Sequence, residues 1–304
     1  MKAFFVAILF LAAPLFLHAA EVPAVLVAAT HEEGPLVSPA APELFNIGPI
    51  PVTNAMIYTW IIGAFIFVAI KLGTSNLKII PSGLQNVIEA AVEGLEDLTK
   101  GLLEPKVAVW CFPLVATYFI FIVISNLMGL LPGVGSIGYG PVAEHGGMPF
   151  AIEHASLPFF RPPTADANTT IAMSAIFFIM STIWAFKYNG PLGLVKHIFG
   201  VKGGLKGMIL VPLTIIFALV GVIEVISILI RPIALAMRLY GNIYGGESVL
   251  ALMVHKAWGL AAVPFYVLEF VVAIVQAMVF TILCIAFIST LCSHTEEEGE
   301  THSH

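Results

Sequence analysis

Long apolar stretches alternate with short polar ones along this chain, and their lengths tell them apart. The first runs from about Asn54 to Ile70 and stops at Lys71. Its roughly 17–20 apolar residues just suffice to cross a hydrocarbon core. Val107 to Leu131 forms a second, charge-free span closed by Pro132, and Asn168 to Phe186 a third. From about Ile209 to His255 the chain stays apolar for close to fifty residues. As one helix that stretch is ~70 Å long against a core of ~30 Å. It either breaks near Arg231-Pro232 into two crossings or lies strongly tilted, and the pattern allows both. Val263 to Leu291 is the last apolar segment. Pro81 to Lys106 differs in kind: Leu84, Val87, Ile88, Ala91, Val92 and Leu95 recur every three or four residues, with Glu89, Glu93, Glu96 and Asp97 between them. That spacing predicts an amphipathic helix on the membrane surface. The fold class is therefore an all-α polytopic membrane protein, with about five membrane-embedded helices and one amphipathic interfacial helix.

The ends of the chain follow other patterns. Residues 1–20 have Lys2, an apolar run broken by Pro14, and Ala19-Ala20 before Glu21, the layout of a signal peptide. Residues 21–50 are rich in Pro and Ala without helical period and read as an exposed arm. A membrane domain over 51–292 follows, then an acidic tail over 293–304 with Glu296, Glu297, Glu298 and Glu300. Of the 304 residues 59% are hydrophobic and 11% charged, which excludes an ordinary water-soluble domain. The net charge of −6 owes much to the tail, and no basic patch suggests nucleic acid.

Candidate metal-binding chemistry is weak. Cys111, Cys284 and Cys292 have neither metal-ligand spacing nor an even-numbered framework. Glu144-His145 and Glu153-His154 lie in a Gly- and Pro-rich segment, 132–167, that reads as a plain extramembrane loop, and no metal or cofactor is expected. Gly138-Tyr139-Gly140 echoes a potassium filter without its preceding residues or a pore helix. Lys187 to Lys206 reads as a basic loop. With an outside start and one net crossing by the long segment, Lys71, Lys78, Lys100, Lys106, Lys187, Lys196, Lys202 and Lys206 fall inside, and only Arg161 and Lys256 outside. The positive-inside rule favours that topology, with a cytoplasmic C-terminus.

Polar residues inside the last two segments change the picture most. Arg238 cannot lose its proton, and a charge at bilayer depth costs ~2.5–3.5 kcal/mol on insertion scales. At about 100° per residue, Glu224, Arg231 and Arg238 fall within ~40° of one another, and Asn242 lies ~40° from Arg238. Glu247 lies half a turn round from Arg238 and ~13 Å further along. Glu269 and Gln276 share a face of the last helix. If the two segments pair antiparallel with a turn near Lys256 to Gly259, one register levels Arg238 with Gln276 and Glu247 with Glu269. Two carboxylates so placed tend to share a proton, which describes an outer protonatable station; Glu224 would be an inner one. Arg231 reads as a snorkelling interfacial residue.

Five motifs then carry a resemblance covering roughly residues 80 to 292. They are Pro81-Ser-Gly-Leu-Gln-Asn-Val-Ile-Glu-Ala90, Asn126-Leu-Met-Gly-Leu-Leu-Pro132, Pro163-Thr-Ala-Asp-Ala-Asn-Thr-Thr170, Arg238-Leu-Tyr-Gly-Asn-Ile-Tyr-Gly-Gly-Glu247 and Val275-Gln-Ala-Met-Val-Phe280. The chain resembles the a subunit of F-type ATP synthases, the membrane stator that faces the rotating c-ring. The resemblance implies that the long segment is one tilted helix and that 209–292 forms the ion-pathway hairpin. It implies that Arg238 is the family's essential arginine, that Asn242, Glu247 and Gln276 belong to the ion path, that Glu224 is the inner carboxylate, and that Glu269 stands where members carry Glu or His. It further implies a non-catalytic subunit of the cell inner membrane, partnered by the c-ring, peripheral-stalk b subunits, other membrane-sector subunits and lipid. Gly129 departs from relatives that carry an acid at its place. No P-loop is present, so ATP chemistry is expected on other chains. A stand-alone secondary transporter is the competing class, but no internal repeat joins the two halves; a structural scaffold would leave Arg238 unexplained.

Overall fold

The computed structural model describes residues 41–47, 50–131, 134, 137–139, 157–199, 210–256 and 262–292. The expected signal peptide, residues 21–40 of the arm, both Glu-His pairs, residues 257–259 of the expected turn and the acidic tail lie outside the described residues. A hairpin of β1 (Glu43–Ile47) and β2 (Ile50–Thr53) leads into α1 (Asn54–Thr74). After it come α2 (Leu84–Leu102), α3 (Pro105–Gly129), a two-residue pairing of β3 (Gly138–Tyr139) with β4 (Leu157–Pro158), and a 3-10 turn (Pro163–Ala165). Helices α4 (Ala167–Phe199), α5 (Leu210–Lys256) and α6 (Ala262–Leu291) complete the described chain. Among the described residues five helices are long and apolar enough to cross a membrane, so the all-α polytopic class holds, with α2 as the additional amphipathic helix.

Three expectations need correction. The end of the arm is not featureless, because residues 43–53 pair as an antiparallel hairpin with Thr53 capping α1. The basic loop after the third span is instead helical as far as Phe199, with a break at Gly190, whose φ of 71° suits glycine. Just before that break Asn189 donates to the carbonyl of Leu291 at 2.8 Å, satisfying an acceptor that the end of α6 leaves free. The third concerns the end of the loop preceding α4, which packs into the protein. Arg161 to Asp166 are all buried.

The long apolar segment is one helix of 47 residues, α5, running through Pro232. At ~1.5 Å per residue it is about 70 Å long and cannot stand upright across a bilayer. The Ser174 hydroxyl on α4 donates to the Pro232 carbonyl, tying α4 to α5 at the proline. Leu235, Leu239 and Ile243 recur every four residues and are buried against the bundle, while Ile233 and Met237 are exposed on the other side. Helix α3 runs through the core, where Tyr118 donates to the Met173 carbonyl at 2.7 Å and meets Phe280 edge-on at 5.8 Å. Phe65, Phe67, Val267 and Phe270 stay exposed, as lipid-facing side chains should.

Local chemistry fixes the amphipathic helix and the buried turn. Gly83, at φ 63°, turns the chain into α2. Gln85 then holds the preceding loop at Lys78, accepting from its amide at 3.1 Å and donating to its carbonyl at 3.0 Å. Asn126 on α3 accepts from Thr164 at 2.7 Å and donates to the Ala273 carbonyl on α6 at 3.2 Å, tying the 3-10 turn to two helices. Gly129 has a steric reason here: a Cβ on it would stand 2.8 Å from the Pro162 ring. Gly129→Ala is expected to destabilise the fold by ~1–3 kcal/mol through overpacking. The check is a lowered melting temperature of the detergent-purified protein; an unchanged melt would mean that Pro162 yields freely.

Candidate functional site

The polar residues of α5 and α6 converge along the seam between those two helices and on the buried turn before α4. Asn242 donates to Gln276 Oε1 across the seam at 2.7 Å. One turn of helix further along, Gly246 packs against the carboxylate of Glu269, so closely that any Cβ at 246 would collide with it. At the other end Arg231 lies over the Phe287 ring, 5.4 Å from its centroid. These three contacts define one antiparallel register. It differs by about one turn from the expected alignment of Arg238 with Gln276, and it puts Arg238 level with the stretch from Ala277 to Phe280. The Nε2 of Gln276 is buried with no hydrogen-bond partner among the described residues, which leaves a donor at this level.

Arg238 itself is exposed on α5. Among the described residues no carboxylate forms an ion pair with it. Both carboxylates of α5, by contrast, have arginines of their own. Glu224 faces Arg231 at 3.4 Å, one contact along the same helix. Arg231 thus pairs with Glu224 within the polar stripe. Glu247 faces Arg161 at 3.8 Å, with side-chain exposures of 22% and 3%. Glu247 thus faces Arg161, while the Glu269 carboxylate packs against Gly246, the residue before Glu247.

Arg161, Asp166, Tyr244 and Gly246 escaped the sequence reading as site residues. Arg161 Nη2 donates to the Ala165 carbonyl at 3.1 Å, and its guanidinium carbon lies 5.9 Å from the centroid of Tyr244. Tyr244 stacks on Tyr240 at 5.3 Å. Asp166 begins α4, accepting from the Thr169 hydroxyl at 3.2 Å. Burial pushes its carboxyl up from the usual range, against the opposing pull of the Asn168 amide, the Arg161 charge and Thr169. One signal for Arg161 was available. It is the only Lys or Arg between Lys106 and Lys187, and it sits two residues ahead of a polar motif that enters a span.

Chemically, the arrangement offers carboxylates on either side of an exposed, permanent cation. Glu247 is ~13 Å from Arg238 along the helix axis in one direction and Glu224 ~21 Å in the other. Among the described residues no group of three or more metal-ligating side chains comes together.

Comparison with known proteins identifies the architecture. The sequence model of the ATP synthase A chain family matches residues 56–289. Among curated relatives, "ATP synthase subunit a" of Trichlorobacter lovleyi is 33% identical over 235 residues, spanning 77% of this chain and 85% of the relative. The proteins of the same name from Desulfosudis oleivorans and Moorella thermoacetica are 31% and 30% identical, spanning 79% and 81% of this chain and 88% and 94% of theirs. With that match running through every apolar helix of the bundle, the chain belongs to the ATP synthase A chain family, as a multi-pass membrane protein with a role in the membrane sector of an F-type ATP synthase.

Proposed function

We propose that this chain is the non-catalytic, ion-translocating stator of the rotary synthase. In this reading it provides two offset half-channels to and from carboxylates of a c-ring, an outer one at Glu247 and Glu269 and an inner one at Glu224, with Arg238 between them. Asn242 and Gln276 line the path beside the arginine. The chain sits in the cell inner membrane with its N-terminus outside and its C-terminus in the cytoplasm, against the c-ring, peripheral-stalk b subunits and other membrane-sector subunits.

One observation carries this reading: Arg238 is exposed on a membrane helix without an acidic partner among the described residues. A cation so placed is costly in lipid, and a carboxylate on another polypeptide would answer it. Arginine cannot relay a proton. It can stabilise the ionised form of a ring carboxylate that approaches it, so the carboxylate must give up its ion before passing. The same fixed charge repels cations that would otherwise cross directly between the half-channels. Each proton or sodium ion moved across 100 mV carries about 2.3 kcal/mol, and offset entry and exit convert that flow into ring rotation.

The competing transporter reading is separated by reconstitution. Liposomes holding this chain alone are expected to pass no more ions than protein-free liposomes, and conductance should require the ring. Gradient-dissipating exchange by the chain alone would favour a transporter and contradict the stator reading.

A further inference from the structure

Resting on the stator reading, we propose that Arg161 is a positioning residue of the outer half-channel, whose charge keeps the Glu247 carboxylate in the ion path. Arg161 lies on the buried turn before α4, far from Glu247 in sequence, and its side chain is 3% exposed. Its hydrogen bond to the Ala165 carbonyl fixes the guanidinium within that turn. Tyr244, one turn before Glu247 on α5, flanks the same group. A buried guanidinium cannot neutralise itself by losing a proton, so an acid must answer it. Asp166 is close enough to feel its charge but is engaged in capping α4 through Thr169 and the amides beyond. Among the described residues Glu247 is the acid that faces it, at 3.8 Å, and its Oε2 has no hydrogen-bond partner among them. Arg161 is the basic group paired with it.

The separation matters as much as the pairing. At 3.8 Å the two groups attract by charge but lie beyond hydrogen-bond distance. A bidentate clamp at normal hydrogen-bond length would lock the carboxylate in one pose. The wider contact holds Glu247 against burial and leaves it able to take up and pass on an ion. On the inner side Glu224 is paired more closely, accepting a single 3.4 Å hydrogen bond from Arg231. Each α5 carboxylate thus has an arginine from within the chain, and the charge of Arg238 is left for the ring.

The test uses the assembled complex in inverted membrane vesicles, comparing Arg161→Gln, Arg161→Lys and, in parallel, Arg238→Ala. Glutamine can still donate to the Ala165 carbonyl but carries no charge; lysine keeps the charge. Gradient-driven ATP synthesis is expected to fall roughly 10- to 100-fold in Arg161→Gln at equal assembly, with most of it retained in Arg161→Lys. Parental synthesis in Arg161→Gln, or an equal loss in Arg161→Lys, would overturn the proposal. If Arg161→Gln fails to assemble, the Arg161→Gln/Glu247→Gln double variant decides. Recovered assembly would identify Glu247 as the group that Arg161 compensates; continued failure would make Arg161 a structural pin and overturn the positioning role. Normal synthesis in Arg238→Ala would remove the stator reading itself, an outcome distinct from all of these.

Discussion

Alanine at position 238 is expected to lower gradient-driven ATP synthesis by at least ~100-fold, the scale on which a preorganised charge acts in a water-poor site. Assembly should be preserved. Arg238 is exposed and makes no ion pair among the described residues, so its removal opens no cavity and strands no carboxylate in this chain. Neighbouring core positions Leu235 and Leu239 keep their burial. The loss should therefore be one of coupling: ATP-driven ion pumping in vesicles disappears while hydrolysis by the catalytic subunits continues. Arg238→Lys should fall between, since it keeps the charge but loses the planar, always-protonated fork. The assay is pumping and synthesis in membranes whose complex content has been equalised by immunoblot. Full pumping in Arg238→Ala would leave the arginine with a structural role only.

Gly246→Ala should have the second-largest effect, reached by a different route. A Cβ at 246 would occupy the position of the Glu269 carboxylate. That carboxylate is the far end of a flexible side chain, so it can swing away at little cost to the fold. What is lost is its seat beside the seam. Pumping is expected to drop about tenfold or more, the scale of a misplacement near 1 Å, while the melting temperature changes little. The second-site variant Glu269→Asp withdraws the carboxylate by one methylene and should restore part of the activity in the Gly246→Ala background. No recovery, together with a lowered melt, would show that Gly246 serves helix packing and not the placement of Glu269.

The helical bundle was legible in the sequence because lipid imposes a simple rule. Uninterrupted apolar length marked α1, α3, α5 and α6 to within a few residues, and the three- to four-residue spacing from Leu84 to Leu95 marked α2. Pattern alone could not decide whether Arg231-Pro232 broke the long segment. In the structure the helix runs on through Pro232. Lys187 ended the third span in hydropathy, but the helix continues to a break at Gly190 and resumes beyond it. The hairpin over 43–53 was hidden by a Pro- and Ala-rich composition and by Pro51 within a strand.

The candidate site was legible along helices and opaque between them. Helical spacing grouped Glu224, Arg231 and Arg238 on one stripe, and the structure adds the Glu224–Arg231 contact within it. An antiparallel register for the last two helices was deducible to about one turn, the precision that numbering from an unseen turn allows. The partner of Glu247 was not deducible. Arg161 reaches it from a Pro-rich segment whose polarity reads as surface, and only the Asn126–Thr164 bond and the packing of Pro162 on Gly129 show why that segment enters the bundle.

The separator role of Arg238 is tested most directly with rotation stopped. Vesicles carrying the complete complex, with the catalytic sector inhibited so that the ring cannot turn, are given an ion gradient, and its decay is followed for the parent and for Arg238→Ala. The account predicts that the parent holds the gradient and that Arg238→Ala lets it collapse, because ions then cross between the half-channels without rotation. A variant as ion-tight as the parent would contradict the assignment of Arg238 as the barrier between them.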